Sequence, residues 1–223
     1  MCTRAAAART AGGESDTIIR MQEQARFILM YVAFPLWVAA GFADWACHRR
    51  TGIALTSGLK ENLLHWLMYG EIGIGMLAVG LLEINAAVLA IVFAVFVLHE
   101  LTVYWDLHYS TLVRDVGPFE QMVHSFLELL PLLSLALLAA SVWPQAIALV
   151  GLGDEARDWT LRLKSEPLPP DLLRVGLALS LVFNALPLLQ ETWSCSVVRS
   201  ARAARRSVAD GATVRTPPTL EPR

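Results

Sequence analysis

This sequence is poor in charged residues and in cysteine. Asp, Glu, Lys and Arg make up only 17% of its 223 residues, the formal net charge is −2, and hydrophobic residues make up 55%. That hydrophobic share exceeds the roughly 45–50% of soluble domains, which favours a membrane protein. The three cysteines, Cys2, Cys47 and Cys195, form no C-x-x-C pair, so neither a disulfide framework nor a cysteine zinc site is indicated.

Several other patterns are missing as well. No basic stripe interleaved with aromatics occurs before the short tail, which argues against a nucleic-acid partner. The H-x-x-H-H boxes of membrane fatty-acid desaturases and hydroxylases are absent. Residues 1–22 contain Gly12, Gly13, Glu14 and Asp16 where a signal peptide would need its apolar stretch, so this segment is predicted to be a disordered extension.

Long apolar runs dominate the rest of the chain. Charge-free runs cover residues 27–43, 84–98, 129–153 and 175–190, and a weaker apolar stretch covers 62–82. Because about 20 residues are needed to cross the hydrocarbon core, these runs predict an all-α integral membrane domain over residues 23–194, with helices at about 24–48, 58–82, 84–108, 118–151 and 171–192. We expect a four-helix transmembrane bundle with a fifth flanking helix, followed by a basic, largely disordered tail over 195–223.

The distribution of cations predicts the orientation. With five spans, the first and third loops and the C-terminal tail share one side, which carries Arg49, Arg50, Lys60, Arg114, Arg199, Arg202, Arg205 and Arg206. The other side has fewer cations near membrane ends. The positive-inside rule therefore places the tail in the cytoplasm of a multi-pass protein.

Histidines and carboxylates cluster at the predicted cytoplasmic ends of four helices. The cluster contains three pairs at i,i+4 spacing, which share a helix face: Asp44 with His48, Glu61 with His65, and Glu120 with His124. His99 and Asp106 are seven residues apart on one stripe, and His108 follows. All five histidines lie between residues 44 and 128. Since consecutive helices with short connections pack antiparallel, these side chains are expected to meet at one depth.

Two segments repeat the same spacing. SGLKENLLH (57–65) and VGPFEQMVH (116–124) both read G-x-x-E-x-x-x-H, and each follows an aspartate adjacent to a tryptophan. Twofold repetition of carboxylate and histidine ligands on four helices is how dinuclear iron or manganese sites are built in bundle cores. A mixed imidazole and carboxylate set favours iron, manganese or zinc over copper(I). We therefore predict two metal ions, with iron preferred, held by Asp44, His48, Glu61, His65, His99, Asp106, His108, Glu120 and His124.

Other interpretations of these residues stay open. Glu61 and Glu120 fit position N3 of a capping box, although capping does not explain the histidine one turn later. Glu128 is a candidate outer partner or proton carrier. Iron would imply an oxidoreductase acting on a lipid or quinone-like substrate, whereas zinc would imply a membrane hydrolase similar to ceramidases. The remaining alternatives are a b-type haem electron carrier and a non-catalytic protein that fastens helices or conducts protons.

The segment from Ala43 to Pro144 resembles a family of bacterial integral membrane proteins of uncharacterised activity. The resemblance is carried by ADWACHRRTG, the G-x-x-E-x-x-x-H pair, LLEINA, LHE and the closing W-P. It implies a bacterial inner-membrane setting. Some members of that family are labelled diguanylate cyclases, but the GG-[DE]-[DE]-F signature of that enzyme is absent here.

Overall fold

A computed structural model describes residues 19–213, which are almost entirely helical. We number the helices α1 (Ile19–Thr51), α2 (Leu59–Leu81), α3 (Ala86–Val113), α4 (Pro118–Ser141), α5 (Trp143–Leu149) and α6, which comprises Pro170–Ser180, a π-helical turn at Leu181–Ala185, and Leu186–Thr213. A further π-helical turn, Leu29–Ala33, lies inside α1. All of these helices except the short α5 are long and apolar enough to cross a membrane. The prediction of an all-α membrane protein with five spans is confirmed.

Local chemistry explains where these helices begin and end. The backbone of Gly52 adopts a left-handed conformation with φ 70°, which ends α1, and Gly58 before α2 has φ 67°. Glycine adopts such angles without steric cost. The side chain of Asn85 accepts a hydrogen bond from the backbone N–H of Val88 and so caps α3. Single residues therefore mark the end of α1 and the starts of α2 and α3.

Three predicted boundaries need correction. The predicted helix 118–151 is divided at Val142, because Pro144 lies at the start of α5 and cannot continue a helical hydrogen-bond ladder. Residues 195–213, predicted to be largely disordered, are helical; the stretch 199–206 within them consists, apart from Ser200, of the strong helix formers Ala and Arg. Residues 19–22, predicted to be disordered, belong to α1. The predicted disorder of 1–18 and 214–223 lies outside the described residues.

The spans alternate in direction, so each end of the bundle brings together the ends of different helices. At one end, the last turns of α1 and α3 meet the first turns of α2 and α4, and the second half of α6 joins them. At the other end, Leu82 pairs with Leu163 in an isolated bridge, and the backbone N–H of Ser165 donates to Glu83 Oε1 at 2.7 Å.

The helices α1 and α6 approach each other closely at Gly41. A Cβ atom at this position would overlap Nδ2 of Asn184, which belongs to the π-helical turn of α6. The same Nδ2 donates a hydrogen bond to the backbone oxygen of Val38 at 3.2 Å. Gly41 therefore leaves room for the Asn184 side chain, which joins α6 to α1 at this crossing.

Candidate metal centre

His48 lies at the centre of a buried cluster of carboxylates. Its side chain is 1% exposed, and its Nε2 atom lies 3.5 Å from Asp44 Oδ1, 3.9 Å from Glu61 Oε1 and 3.5 Å from Glu120 Oε1. These acids come from α1, α2 and α4. On the far side of Asp44, Nε2 of His124 lies 2.9 Å from the same Oδ1. The three i,i+4 pairs predicted from the sequence therefore meet, and the side chains of Glu61 and Glu120 bond to Arg114 in the cluster and not to the helix starts.

A carboxylate from α6 holds the two central imidazoles. Glu191 Oε2 lies 3.1 Å from Nδ1 of His48, and its Oε1 lies 3.5 Å from Nδ1 of His65. The two imidazole rings stack with centroids 4.6 Å apart and an interplanar angle of 8°. On its other edge, His65 places Nε2 3.5 Å from Asp106 Oδ2. Glu191 thus engages both Nδ1 atoms and leaves both Nε2 atoms directed at acids.

Hydrogen bonds in turn fix the position of Glu191. Asn62 on α2 donates from Nδ2 to Glu191 Oε1 at 2.9 Å, and its own Oδ1 accepts from the hydroxyl of Thr192 at 2.8 Å. That hydroxyl accepts from the indole N–H of Trp66 at 2.9 Å. This network joins α2 to α6, so the fifth span closes the cluster and does not merely flank it.

Arg114 is the cation that contacts these acids within residues 19–213. Its guanidinium donates to both oxygens of Glu61 and also to Glu120 Oε1. Burial alone would lower the pKa of the Arg114 guanidinium, but the hydrogen-bonded carboxylates of Glu61 and Glu120 raise it above its ordinary value. Arg114 follows the end of α3 and reaches back into the cluster, so it compensates one carboxylate there.

Two of the predicted ligands, His99 and His108, make no contact with the residues of the cluster around His48. His99 lies two turns deeper in the bundle, where its Nδ1 atom is 3.3 Å from Glu71 Oε2. His108 is exposed and stacks on Tyr104 with ring centroids 6.2 Å apart. Glu128 lines a cavity next to the cluster and makes no ion pair among the described residues. The predicted ligand set therefore separates into a cluster, a deeper pair and a surface histidine.

A cavity of about 120 Å³ extends from the cluster toward the middle of the bundle. Asp44, His48, His65, Asp106, His124 and Glu191 line its polar end, while its wall continues along Trp37, Ile72, His99 and Leu188. A cavity of 150 Å³ in another protein holds a benzene molecule, so this space suits dioxygen or a few waters. It is smaller than the roughly 300–1,000 Å³ of drug-sized ligand sites.

The geometry of the cluster fits a transition-metal ion. Ligand atoms of Asp44, His48, Glu120 and His124 lie within 4.8 Å of one another, and a second group contains His48, Glu61 and His65. Tetrahedral ligands at about 2.1 Å from a metal lie about 3.4 Å apart, close to the 3.5 Å separations around His48 Nε2. Buried atoms here also lack hydrogen-bond partners in the described chain, namely His48 Nε2, Asp106 Oδ1, Glu120 Oε2 and His124 Nδ1.

The charges of the cluster also call for cations. Glu61 and Arg114 compensate each other, which leaves the carboxylates of Asp44, Asp106, Glu120 and Glu191. Buried charges are costly unless they are paired or coordinate metals. With neutral imidazoles the cluster carries four uncompensated negative charges, which two divalent ions would balance. Protonation of its three histidines would leave one negative charge.

The geometry does not suit haem ligation by the central histidines. A porphyrin lies between its two axial imidazoles, whereas the rings of His48 and His65 are in direct stacking contact. Their Nδ1 atoms are also engaged by one carboxylate. This pair is therefore unable to sandwich a haem in the described arrangement.

Comparison with protein-family models, curated proteins and solved structures finds no match to this chain. The fold and the cluster together define an all-α membrane protein with a buried histidine and carboxylate site.

Proposed function

We propose that this chain is a membrane oxidoreductase with a dinuclear iron centre near the cytoplasmic face of a bacterial inner membrane. The observation that carries the proposal is the buried excess of carboxylates around His48, whose Nε2 atom has no hydrogen-bond partner among the described residues. Two divalent ions would compensate this charge. Iron fits a mixed imidazole and carboxylate set, as manganese and zinc also do.

The first ion would be held by Asp44, His48, Glu120 and His124, whose ligand atoms lie close together. The second would lie between His65 and Asp106, next to Glu61. Dinuclear iron in such a carboxylate-rich bundle supplies oxidation chemistry with dioxygen as the oxidant.

The residues of the chain would prepare this site in three ways. Glu191 fixes both imidazoles so that their Nε2 atoms face the metals, as outer carboxylates do in other metal sites. Arg114 compensates Glu61 without occupying Oε2 of Glu120. The cavity next to the site has room for a small molecule such as dioxygen, while a lipid or quinone-like substrate would approach from the bilayer.

Zinc-dependent hydrolysis is a second candidate, because the four ligand atoms around Asp44 match the number that zinc prefers. A zinc ion lowers the pKa of bound water to about 7 and so generates a nucleophile. The small size of the cavity favours dioxygen over an amide or ester substrate.

Elemental analysis tests the proposal. The full chain is purified in mild detergent from cells grown with iron, zinc and manganese, and its metals and absorption spectrum are measured. We expect about two irons per chain and no Soret band. Two zinc ions would support the hydrolase instead, and a chain that binds neither metal would overturn both proposals. His48→Ala is expected to lose bound metal, while His108→Ala, which alters an exposed histidine, serves as its matched control.

A further inference from the structure

Glu71 and His99 form a buried polar pair halfway along two helices that are long and apolar enough to cross a membrane. Glu71 is the thirteenth residue of the 23 in α2, and His99 is the fourteenth of the 28 in α3. Their relative exposures are 3% and 5%. Ionisable residues at this depth are costly, and where they occur they commonly belong to proton relays or ion pathways.

The contacts of this pair leave two facing atoms, one on each side chain, between which a proton could be shared. Thr102 donates its hydroxyl hydrogen to Glu71 Oε1 at 2.8 Å. The other oxygen, Oε2, lies 3.3 Å from His99 Nδ1, and neither atom has a hydrogen-bond partner in residues 19–213. A proton on Oε2 would therefore lie next to the imidazole, and the Thr102 hydroxyl holds the opposite oxygen of the carboxyl group.

The cavity connects this pair to the candidate metal centre. His99 lines the cavity wall together with Glu128 from α4. The polar end of the same cavity is lined by titratable residues of all five spans: Asp44 and His48 (α1), His65 (α2), Asp106 (α3), His124 (α4) and Glu191 (α6). About 120 Å³ is room for several waters, each of which needs only some 10–15 Å³ of such volume. Water in this space would bridge His99 to the centre.

We propose that Glu71 and His99 are a proton-transfer pair that stores a proton at mid-membrane depth and exchanges it with the cavity. The neutral carboxylic acid gives its proton from Oε2 to Nδ1 of His99, and the imidazole releases its Nε2 proton to cavity water. The products are a carboxylate, the other neutral imidazole tautomer and a hydronium ion in the cavity, so the step balances with cavity water as the proton acceptor. This inference extends the proposed function, because reduction of dioxygen consumes protons at the centre.

Infrared spectroscopy of the full chain in detergent tests the pair without requiring a metal. A protonated carboxyl group gives a carbonyl band that shifts when its hydrogen is exchanged for deuterium. We expect one such band at neutral pH to vanish in Glu71→Gln and to persist in Glu100→Gln. Glu100 is a matched control because it neighbours His99 on α3 but does not line the cavity.

The exchange rate of that band tests the role of His99. Transfer to deuterated solvent through the imidazole should make the exchange about tenfold or more slower in His99→Gln, and unchanged in His108→Gln. A merely structural role would have the opposite effect, since a loosened helix contact speeds exchange. A spectrum without a band that depends on Glu71, or an exchange rate equal to or faster than that of the unaltered chain in His99→Gln, would overturn the proposal.

Metal content measured on the same samples separates this inference from the proposed function. Exchange that depends on His99 in a chain without bound metal would leave the proton pair standing and remove the oxidoreductase. Bound iron together with exchange that is independent of His99 would do the reverse.

Discussion

Glu191 Oε2 lies 3.1 Å from Nδ1 of His48, joining the last span of the bundle to the first. The same carboxylate reaches His65 on α2, so one side chain sets the direction of two imidazoles. This arrangement fixes which nitrogen of each ring faces the remaining acids. The candidate metal-binding face of the cluster thus depends on a helix that supplies none of the four closely grouped potential ligand atoms.

Removing this carboxylate should weaken metal binding without abolishing it. In Glu191→Gln the side chain keeps its size but loses the charge that holds the two imidazoles, and loss of such an outer partner typically reduces metal affinity about 10–100-fold. Competition with a chelator of known affinity measures the effect. Gln190→Ala is the matched control, because the neighbouring Gln190 bonds to Trp45 and has no contact with the histidines. Equal affinities in both variants would contradict this role.

The histidines should differ sharply in their effect on metal content. His65→Ala and His124→Ala each remove an imidazole that faces a carboxylate of the cluster, and we expect each to lose bound metal. His99→Ala should retain it, since this residue pairs with Glu71 below the cluster. Elemental analysis after gel filtration gives the result. Full metal content in His65→Ala and His124→Ala would end the case for this centre.

Arg114→Gln should destabilise the protein strongly. The Arg114 side chain is 2% exposed and contacts Glu61 and Glu120, which are equally buried. Breaking a buried ion pair by removing one partner typically costs about 3–5 kcal/mol, because the other charge stays buried without compensation. Thermal unfolding in detergent measures the loss, with the exposed Arg50→Gln as its control. Metal added before heating should restore part of the stability, since a cation would replace the guanidinium.

The opposite end of the bundle should respond to acid. The backbone N–H and the hydroxyl of Ser165 donate to Glu83 at 2.7 and 2.8 Å, and they lower the pKa of this exposed carboxyl below its ordinary value of 4.5. The ionised group therefore stabilises the folded state above pH 4.5, and this contribution is lost as the pH falls through the lowered value.

The thermal unfolding midpoint of the unaltered chain should accordingly fall more steeply below pH 4.5 than that of Glu83→Gln. Glu166 is an exposed loop residue nearby, and the unfolding midpoint of Glu166→Gln should depend on pH in the same way as that of the unaltered chain. Parallel curves for the unaltered chain and Glu83→Gln would show that the Ser165 contact does not form.

The sequence predicts the spans and the i,i+4 pairs well because both depend on local periodicity. Apolar runs of sufficient length define the helices, and four-residue spacing places Asp44 with His48 on one face without knowledge of packing. Short connections then make the helices antiparallel, which brings Glu120 and His124 from a distant segment to the same end. The meeting of these pairs is confirmed by the distances around His48.

The positions of His99 and His108 differ from the prediction because of their depth along α3 and their rotation about its axis. Seven residues return a helix to the same stripe but advance it by about 10.5 Å, so Asp106 reaches the cluster while His99 lies deeper beside Glu71. Two residues turn a helix by about 200°, which directs His108 away from the bundle when Asp106 points inward.

Two further residues were missed because they lack a histidine partner in sequence. Glu191 directly follows the last charge-free run, at the same depth as the other acids. This position is the feature of the sequence that indicates a place in the cluster. Arg114 was interpreted only as a topology signal, although a buried acid cluster requires a compensating cation. Neither the contact of Arg114 with Glu61 nor that of Glu191 with His48 has a local spacing that a single sequence displays.

The close crossing of α1 and α6 at Gly41 influences the geometry of the cluster from a distance. Asn184 lies seven residues before Glu191 on the same helix, so the crossing sets how far α6 can slide along α1 and hence whether Glu191 reaches the imidazoles. A single added methyl group at Gly41 would push against Asn184 and shift that carboxylate. Any metal affinity of this cluster would thus be tuned by a backbone position outside the group of potential ligands.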